Sequence, residues 1–224
     1  IPCLGGAPVS GYFSLPKDAE RKSLPAILWV HGAGVRSSVL GNAVKGAKWD
    51  MLSMDINAHG TLNVLRAAAD AGAKKMTLSS SAAIYGDNPE VPKRETMVPE
   101  PKSPYAVTKL DGEYYCDMFS REGWLDTACL RYFNVFGPRQ DPKSAYAAAV
   151  PIFISKALAN EPLTVYGEGD QTRDFIFVKD IVGANVFFAT ESKDTGVFNV
   201  AYGGRITIND LAQRIIPFLP KSGD

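Results

Sequence analysis

Short apolar runs alternate with longer stretches of helical periodicity along most of this chain of 224 residues. Residues 26–30 form a continuous apolar run, which is typical of a strand buried on both faces of a parallel sheet. Over residues 61–71 the apolar side chains recur at helical spacing, and Gly72 ends the helix. This alternation predicts an α/β fold with a doubly wound, mostly parallel sheet.

The remaining elements extend the same pattern. Further strands are predicted at residues 11–15, 51–55, 75–79, 127–132, 164–166, 175–178 and 196–200. Further helices are predicted at 38–45, 104–119, 151–159, 180–189 and 208–216, the last of them capped by Thr207.

Composition narrows the class of protein. Hydrophobic residues make up 46% and charged residues 21%, and basic and acidic residues both number 24. No basic run suggests a nucleic-acid partner, and no apolar run approaches the roughly 20 residues that span a bilayer. We see no secretory leader. Cys3, Cys116 and Cys129 lack paired spacing, which predicts a reduced, cytoplasmic setting, and no metal site is predicted.

Tyr105 and Lys109 lie four residues apart on a predicted helix, so their side chains share one face. Tyrosine has a pKa near ~10, and a cation within ~4–6 Å favours the phenolate and lowers that pKa. Such a tyrosine can act as a general base. Ser81 follows the strand predicted at 75–79, and a serine there can hydrogen-bond to the substrate hydroxyl from which Tyr105 would take a proton. Because the chain has nine tyrosines, the alternative interpretation of the pair alone is a solvated helix face.

Longer motifs surround this pair. They are Asn57 with residues 60–65, then 79–86, 103–109, 130–140, 166–169, 171–174 and 198–200. Over residues 57–216 the chain resembles the extended short-chain dehydrogenase/reductases of the NAD-dependent epimerase/dehydratase family. The resemblance is to UDP-glucose and UDP-N-acetylglucosamine 4-epimerase-like proteins in particular.

The resemblance implies that the chain epimerises a UDP-hexose at C4 through a transient 4-keto sugar, with NAD as cofactor. Tyr105 would take the proton from the sugar 4-hydroxyl while NAD⁺ accepts a hydride from C4. Lys109 would hold the nicotinamide ribose and keep Tyr105 acidic, and Ser81 would relay or orient the proton.

The resemblance also implies the binding contacts. Asn134 and Arg173 would contact the UDP diphosphate, and the planar guanidinium group of arginine matches phosphate oxygens. Ser81 would contact the sugar. A homodimer is expected through the helices at 61–71 and 104–119. The cofactor contacts implied are Asn57, Ser79, Tyr105, Lys109 and Tyr132.

Ala82 and Ala83 separate reaction types within this group. In its sugar dehydratases and decarboxylases an acidic residue follows the serine or threonine and helps to drive elimination or decarboxylation. Alanine can do no proton chemistry, so the sequence favours 4-epimerisation over 4,6-dehydration.

The beginning of the chain departs from the family pattern, because the Gly-x-x-Gly-x-x-Gly turn that seats the pyrophosphate is absent. Residues 8–60 instead resemble the front of an acetyl-xylan-esterase-like α/β-hydrolase, so we expect a chimeric chain with a junction at 55–60. The loop with Gly32 and Gly34 has two interpretations. It is either an inherited oxyanion loop, or an approximate dinucleotide fingerprint completed by Asp55, in which Gly32 and Gly34 bind the cofactor.

Three parts are predicted: an atypical hydrolase-like segment at 1–56, an NAD-binding Rossmann part at 57–140, and an incomplete nucleotide-sugar-binding part at 141–224. Two alternative functions stay open, an inactive chimeric chain or fragment, and an esterase. Against an esterase, the chain contains no Gly-x-Ser-x-Gly nucleophile elbow. Its two histidines, His31 and His59, lie in or next to the first segment, so the usual late histidine of the catalytic triad is missing as well.

Overall fold

The computed structural model describes residues 26–28, 54–142 and 149–218. Its strands are β1 (Ala26–Leu28), β2 (Lys75–Ser81), β3 (Asp126–Tyr132), β4 (Asn134–Phe136), β5 (Thr172–Arg173), β6 (Phe175–Phe177), β7 (Gly196–Val200) and β8 (Ile206–Thr207). Its helices are α1 (Gly60–Asp70), α2 (Pro104–Arg121), α3 (Ala149–Leu158), α4 (Val178–Thr190) and α5 (Ile208–Ile215). Shorter helical turns are Met54–His59, Ala82–Tyr85 and Ile216–Phe218.

An all-parallel sheet has the strand order β1-β2-β3-β7, which confirms the predicted α/β class and parallel sheet. The first six residues of β2 are buried, as expected for a strand covered on both faces. The register pairs Ser81 of β2 with Tyr132 of β3, so the carboxyl ends of these strands lie side by side. Open parallel sheets bind their ligands at this edge.

Opposite faces of the sheet bury different helices, because side chains alternate along a strand. Leu78 and Cys129 pack with Leu65 of α1 and Cys116 of α2. On the other face, residues of β3 pack with Ile181 of α4. The two faces therefore supply side chains from different helices to the same edge of the sheet.

Local signals set the ends of α2, the helix that carries Tyr105 and Lys109. The Ser103 side chain accepts a hydrogen bond from the Ala106 N–H at 3.2 Å, and Pro104 occupies the first turn, where its missing N–H is harmless. After the helix, Gly123 takes a φ of 67° in the left-handed region that favours glycine.

The C-terminal part adds two small sheets, the parallel pair β4-β6 and the antiparallel pair β5-β8. A third apolar cluster joins α3 to α5. The Thr207 side chain accepts a hydrogen bond from the Asp210 N–H at 2.9 Å, which confirms the predicted cap of α5. The predicted boundary at residue 140 separates strands that pair with each other, because β3 pairs with β7 and β4 pairs with β6. The division into an NAD-binding part and a nucleotide-sugar-binding part remains a proposal.

The strand predicted at 164–166 is wrong, and the last two residues of the strand predicted at 51–55 are helical, while residues 51–53 lie outside the described part of the chain. Met54 and Asp55 lie in the helical turn Met54–His59, because the chain runs directly into α1 and buries Asn57 and Ala58 there. Residues 164–166 form no strand, and Val165 packs against the third cluster without a strand partner in the described part of the chain. Three short strands, β4, β5 and β8, were not predicted, because two or three residues show no alternation.

Several predicted features lie outside the described residues, namely the strand at 11–15, the helix at 38–45, and the loop with Gly32 and Gly34. Within the described ranges, no helix is long and apolar enough to cross a membrane. The same ranges contain no group of three or more histidine, cysteine or acidic side chains that could hold a metal ion.

Candidate active site

A cleft of ≈ 610 Å³ opens at the carboxyl ends of β2 and β3, beside the start of α2. The structure brings Ser81, Tyr105 and Lys109 together in this cleft. Helical spacing predicted that Tyr105 and Lys109 share one face, whereas Ser81 was assigned to the same site from the surrounding motifs. The polar residues that line it are Ser79, Ser80, Ser81, Tyr105, Lys109, Tyr132, Arg139 and Gln140.

Ser81 lies beside Tyr105, close enough for its side chain to lower the pKa of the Tyr105 phenol. Ser81 ends β2 with extended backbone, and its hydroxyl oxygen accepts a bond from the Ala83 N–H at 3.2 Å. Because a hydroxyl has one proton and two lone pairs, this bond leaves the Ser81 proton available to Tyr105. The pair is therefore arranged to pass a proton between a phenol and an adjacent hydroxyl.

Lys109 is buried on the sheet-facing side of α2, at 3% exposure. Its Nζ donates to the Ser79 carbonyl oxygen at 2.7 Å and lies 5.5 Å from the centre of the Tyr105 ring. Burial lowers the pKa of Lys109 to about 7, because removal from water disfavours the ammonium ion. Near neutral pH the side chain is therefore only partly charged.

Tyr105 differs from the expectation that a neighbouring cation would lower its pKa. Burial is the larger effect and raises the pKa of Tyr105, while the hydrogen bond to Ser81 lowers it. Lys109 is itself only partly charged near pH 7. In this arrangement the side chain of Ser81 favours the phenolate.

Tyr132 is held from the other face of the sheet. Its hydroxyl lies 3.0 Å from the Ser79 hydroxyl and accepts a bond from the Asn185 amide at 2.6 Å. Burial raises the pKa of Tyr132, opposed by its hydrogen bonds to Ser79 and Asn185. Sequence reasoning missed Asn185, although an asparagine between the apolar residues of α4 is a visible signal for a buried polar contact.

Asn57, which the resemblance implies as a cofactor contact, lies outside the lining of this cleft. It is 4% exposed, and its Nδ2 donates to the Thr108 hydroxyl at 3.0 Å. Thr108 in turn donates to the Tyr105 carbonyl at 2.9 Å. Asn57 is not among the described residues that line the cleft, and its observed contact fixes the first turn of α2 beneath Tyr105.

Asn134 and Arg173 line a second cleft of ≈ 490 Å³, which adjoins the first at Phe133. The Asn134 side chain donates to the Asp174 carbonyl at 3.0 Å, which ties β4 to the loop beside Arg173. Three cationic residues line this second cleft, Lys93, Arg173 and Arg205.

Comparison with known proteins places this geometry in a family. The family model described as "NAD dependent epimerase/dehydratase family" matches residues 38–201, which is most of the chain. The chain belongs to the NAD-dependent epimerase/dehydratase family. The family assignment confirms the resemblance from residue 57 to residue 201.

Several members of the family are similar to this chain. A putative UDP-glucose 4-epimerase of Methanocaldococcus jannaschii is 37% identical over 158 residues, which cover 70% of this chain and 51% of that protein. The structure of a Methanobrevibacter ruminantium UDP-N-acetylglucosamine 4-epimerase with UDP-N-acetylmuramic acid is 43% identical, with a TM-score of 0.72, covering 80% of this chain and 56% of that one. A Thermotoga maritima UDP-glucose 4-epimerase with UDP-glucose is 34% identical, with a TM-score of 0.76, covering 91% of this chain and 66% of that one.

The family match changes the account of the first segment. It begins at residue 38, inside the stretch 8–60 that resembles a hydrolase. The comparisons give no support to a hydrolase-like chimera with a junction at 55–60. The chain spans about half the length of the curated family members it matches.

Proposed function

We propose that this chain carries the catalytic cleft of an NAD-dependent UDP-hexose 4-epimerase. The observation that carries the proposal is the grouping of Ser81, Tyr105 and Lys109 in one cleft that adjoins an arginine-bearing second cleft. The similarity to UDP-sugar 4-epimerases supports the same assignment.

The cleft residues fit the ribose and nicotinamide half of NAD. Ser79, Tyr105, Tyr132 and Lys109 line the cleft, and their hydroxyl and amine groups complement ribose hydroxyls and a carboxamide. Lys109 would hold the ribose hydroxyls. The proposed contacts Gly32 and Gly34, for the pyrophosphate, lie outside the described residues.

In the proposed reaction Tyr105 removes the proton from the sugar 4-hydroxyl. When bound, NAD⁺ would accept a hydride from C4 and return it to either face of the resulting 4-keto sugar. Ser81 donates a hydrogen bond to the phenolate oxygen and lowers the energy of the charge that develops there. On the return step Tyr105 gives the proton back to the sugar oxygen.

The second cleft suits a diphosphate. Arg173 and Arg205 present planar guanidinium groups, and Lys93 adds a third cationic side chain. Asn134 supports this site through its bond to the Asp174 carbonyl. A nucleotide sugar would thus place its diphosphate here and its hexose at Tyr105, across Phe133.

Epimerisation is favoured over elimination by the residues that follow Ser81. Ala82 and Ala83 form the turn Ala82–Tyr85 directly after it, and neither can donate or accept a proton. A dehydratase or decarboxylase would need an acidic group at this point.

The direct test is conversion of UDP-glucose to UDP-galactose in the presence of NAD⁺, followed by NMR. The unmodified chain is expected to convert the sugar, and Tyr105→Phe to lower kcat by roughly 10²–10⁴ while it binds UDP as before. Equal rates for both proteins would contradict the role of Tyr105. If neither the unmodified chain nor Tyr105→Phe converts the sugar, although both bind UDP and NADH, the proposed reaction is contradicted.

We further propose a homodimer and a cytoplasmic location. On α2 the apolar side chains Val107, Tyr114 and Met118 are exposed at helical spacing, and such a face favours association. The location rests on Cys116 and Cys129, which are free and buried.

A further inference from the structure

Tyr85 ends the turn that follows the serines of β2, and it is 1% exposed. Its hydroxyl donates to the Asn199 Oδ1 at 2.7 Å. Because this bond fixes the oxygen of the amide, the Nδ2 of Asn199 must face the other way. There it donates to the Lys93 carbonyl at 3.1 Å. A tyrosine hydroxyl therefore sets which way the Asn199 amide points.

Asn199 connects Tyr85 to one wall of the second cleft. Its backbone N–H donates to a Glu95 carboxylate oxygen at 2.7 Å, in addition to the side-chain bond to Lys93. Residues 91–93 and Asn199 line the cleft together with Arg173. Asn199 of β7 thus donates hydrogen bonds to both Lys93 and Glu95, and its side-chain bond to Lys93 depends on the orientation that Tyr85 sets.

The ring of Tyr85 is itself held rigidly. The guanidinium carbon of Arg131 lies 4.8 Å from the centre of the ring, and Arg131 makes two hydrogen bonds to Glu113 at 2.9 and 2.7 Å. The Ser80 hydroxyl donates to the same carboxylate at 2.5 Å. Glu113 lies one turn beyond Lys109 on α2. Tyr85 is therefore held in place by Arg131, which is itself bound to Glu113 of α2.

We propose that Tyr85 is a positioning residue for the diphosphate-binding cleft. It acts through Asn199, which holds residues 91–95 as a preformed wall. This inference rests on the proposed function, because that function assigns a nucleotide diphosphate to the cleft. Tyr85 does not line either cleft and touches no reacting atom.

A preformed wall strengthens binding because no chain has to be ordered when the ligand arrives. Without the Tyr85 hydroxyl, the Asn199 amide can turn over and release the Lys93 carbonyl. Residues 91–95 would then sample other conformations, and only a fraction of molecules would present the closed cleft. Affinity falls in proportion to that fraction. The first cleft shares no residue of this segment, so cofactor affinity should not change.

The test is calorimetric titration of the unmodified chain and of Tyr85→Phe with UDP, and separately with NADH. Phenylalanine keeps the ring against Arg131 and removes only the hydroxyl. We expect the Kd for UDP to rise roughly tenfold and the Kd for NADH to stay the same. Tyr166→Phe is the matched control, because it makes the same chemical change at a side chain that is 82% exposed.

Unchanged UDP affinity in Tyr85→Phe would overturn the inference and leave the proposed function intact. Equal losses of UDP and NADH affinity would also overturn it, because they would show a merely structural role. A failure of the unmodified chain to bind either ligand would contradict the proposed function, and the inference with it.

Hydrogen exchange gives a readout that needs no ligand. The backbone N–H of Asn199 donates to the Glu95 carboxylate. Its hydrogen is expected to exchange faster in Tyr85→Phe, because residues 91–95 leave β7 more often. An unchanged exchange rate would overturn the inference.

Discussion

Lys109 keeps its amine inside the fold, next to the Ser79 carbonyl and the Tyr105 ring. Its folded pKa of about 7 lies well below the ~10.4 of an unfolded lysine. Between these values the unfolded chain binds more protons than the folded chain, so the free energy of unfolding rises with pH.

This linkage predicts a pH effect that Lys109→Met removes. From pH ~7 to ~9 the unmodified chain should gain stability relative to the variant, by at most ~1.4 kcal/mol per pH unit. Urea unfolding of both proteins across this range measures the difference. A constant difference would show that Lys109 keeps an ordinary pKa in the folded protein.

At the residue scale, spacing along the chain predicted only the groups whose partners are local. Tyr105 and Lys109 stand one helical turn apart, so the sequence alone brings them together. The partners Asn185 and Tyr132 are 53 residues apart, and Tyr85 and Asn199 are 114 apart. Such contacts are decided by strand order, which sequence patterns do not give residue by residue.

At the scale of elements, α2 is fastened to β3 by a buried ion pair. Both side chains of Arg131 and Glu113 are 4% exposed. Removal of one partner leaves a buried charge unpaired, which typically costs ~3–5 kcal/mol.

We therefore predict that Glu113→Gln lowers the free energy of unfolding by about 3 kcal/mol or more, as measured in urea. Arg121→Gln is the control, because it breaks an ion pair with Asp117 whose side chains are 77% and 51% exposed. That change should cost less than ~1 kcal/mol. If both variants lose the same stability, the buried pair does not fasten α2 to the sheet.

Long helices were predicted from the sequence more accurately than short segments. The helices α1 and α2 were predicted within two residues at each end, because several turns show the apolar period clearly. The strand β7 matched its predicted bounds. The end of the run at 51–55 was misassigned, since Met54 and Asp55 are helical. A short apolar segment is compatible both with a buried strand and with the approach to a helix.

At the scale of the molecule, the exposed face of α2 predicts a dimer. Val107, Tyr114 and Met118 are 42%, 60% and 41% exposed. Analytical ultracentrifugation at micromolar concentration should show a dimer, and Tyr114→Glu combined with Met118→Glu should give a monomer.

The matched control for this dimer is Val182→Glu, which places the same charge on an exposed apolar residue of α4. It should leave the dimer unchanged. A monomeric unmodified chain, or dissociation caused equally by Val182→Glu, would exclude α2 as the interface.

The central claim is that Ser81, Tyr105 and Lys109 belong to a cofactor cleft that works in this chain. Fluorescence titration with NADH, with Lys109→Ala as the matched variant, tests it most directly. Saturable binding that weakens about tenfold or more in Lys109→Ala is the predicted result, because the lysine lines the cleft where the ribose would lie. The absence of binding up to about 1 mM NADH would contradict the account and favour an inactive chain with an intact constellation but no usable cofactor site.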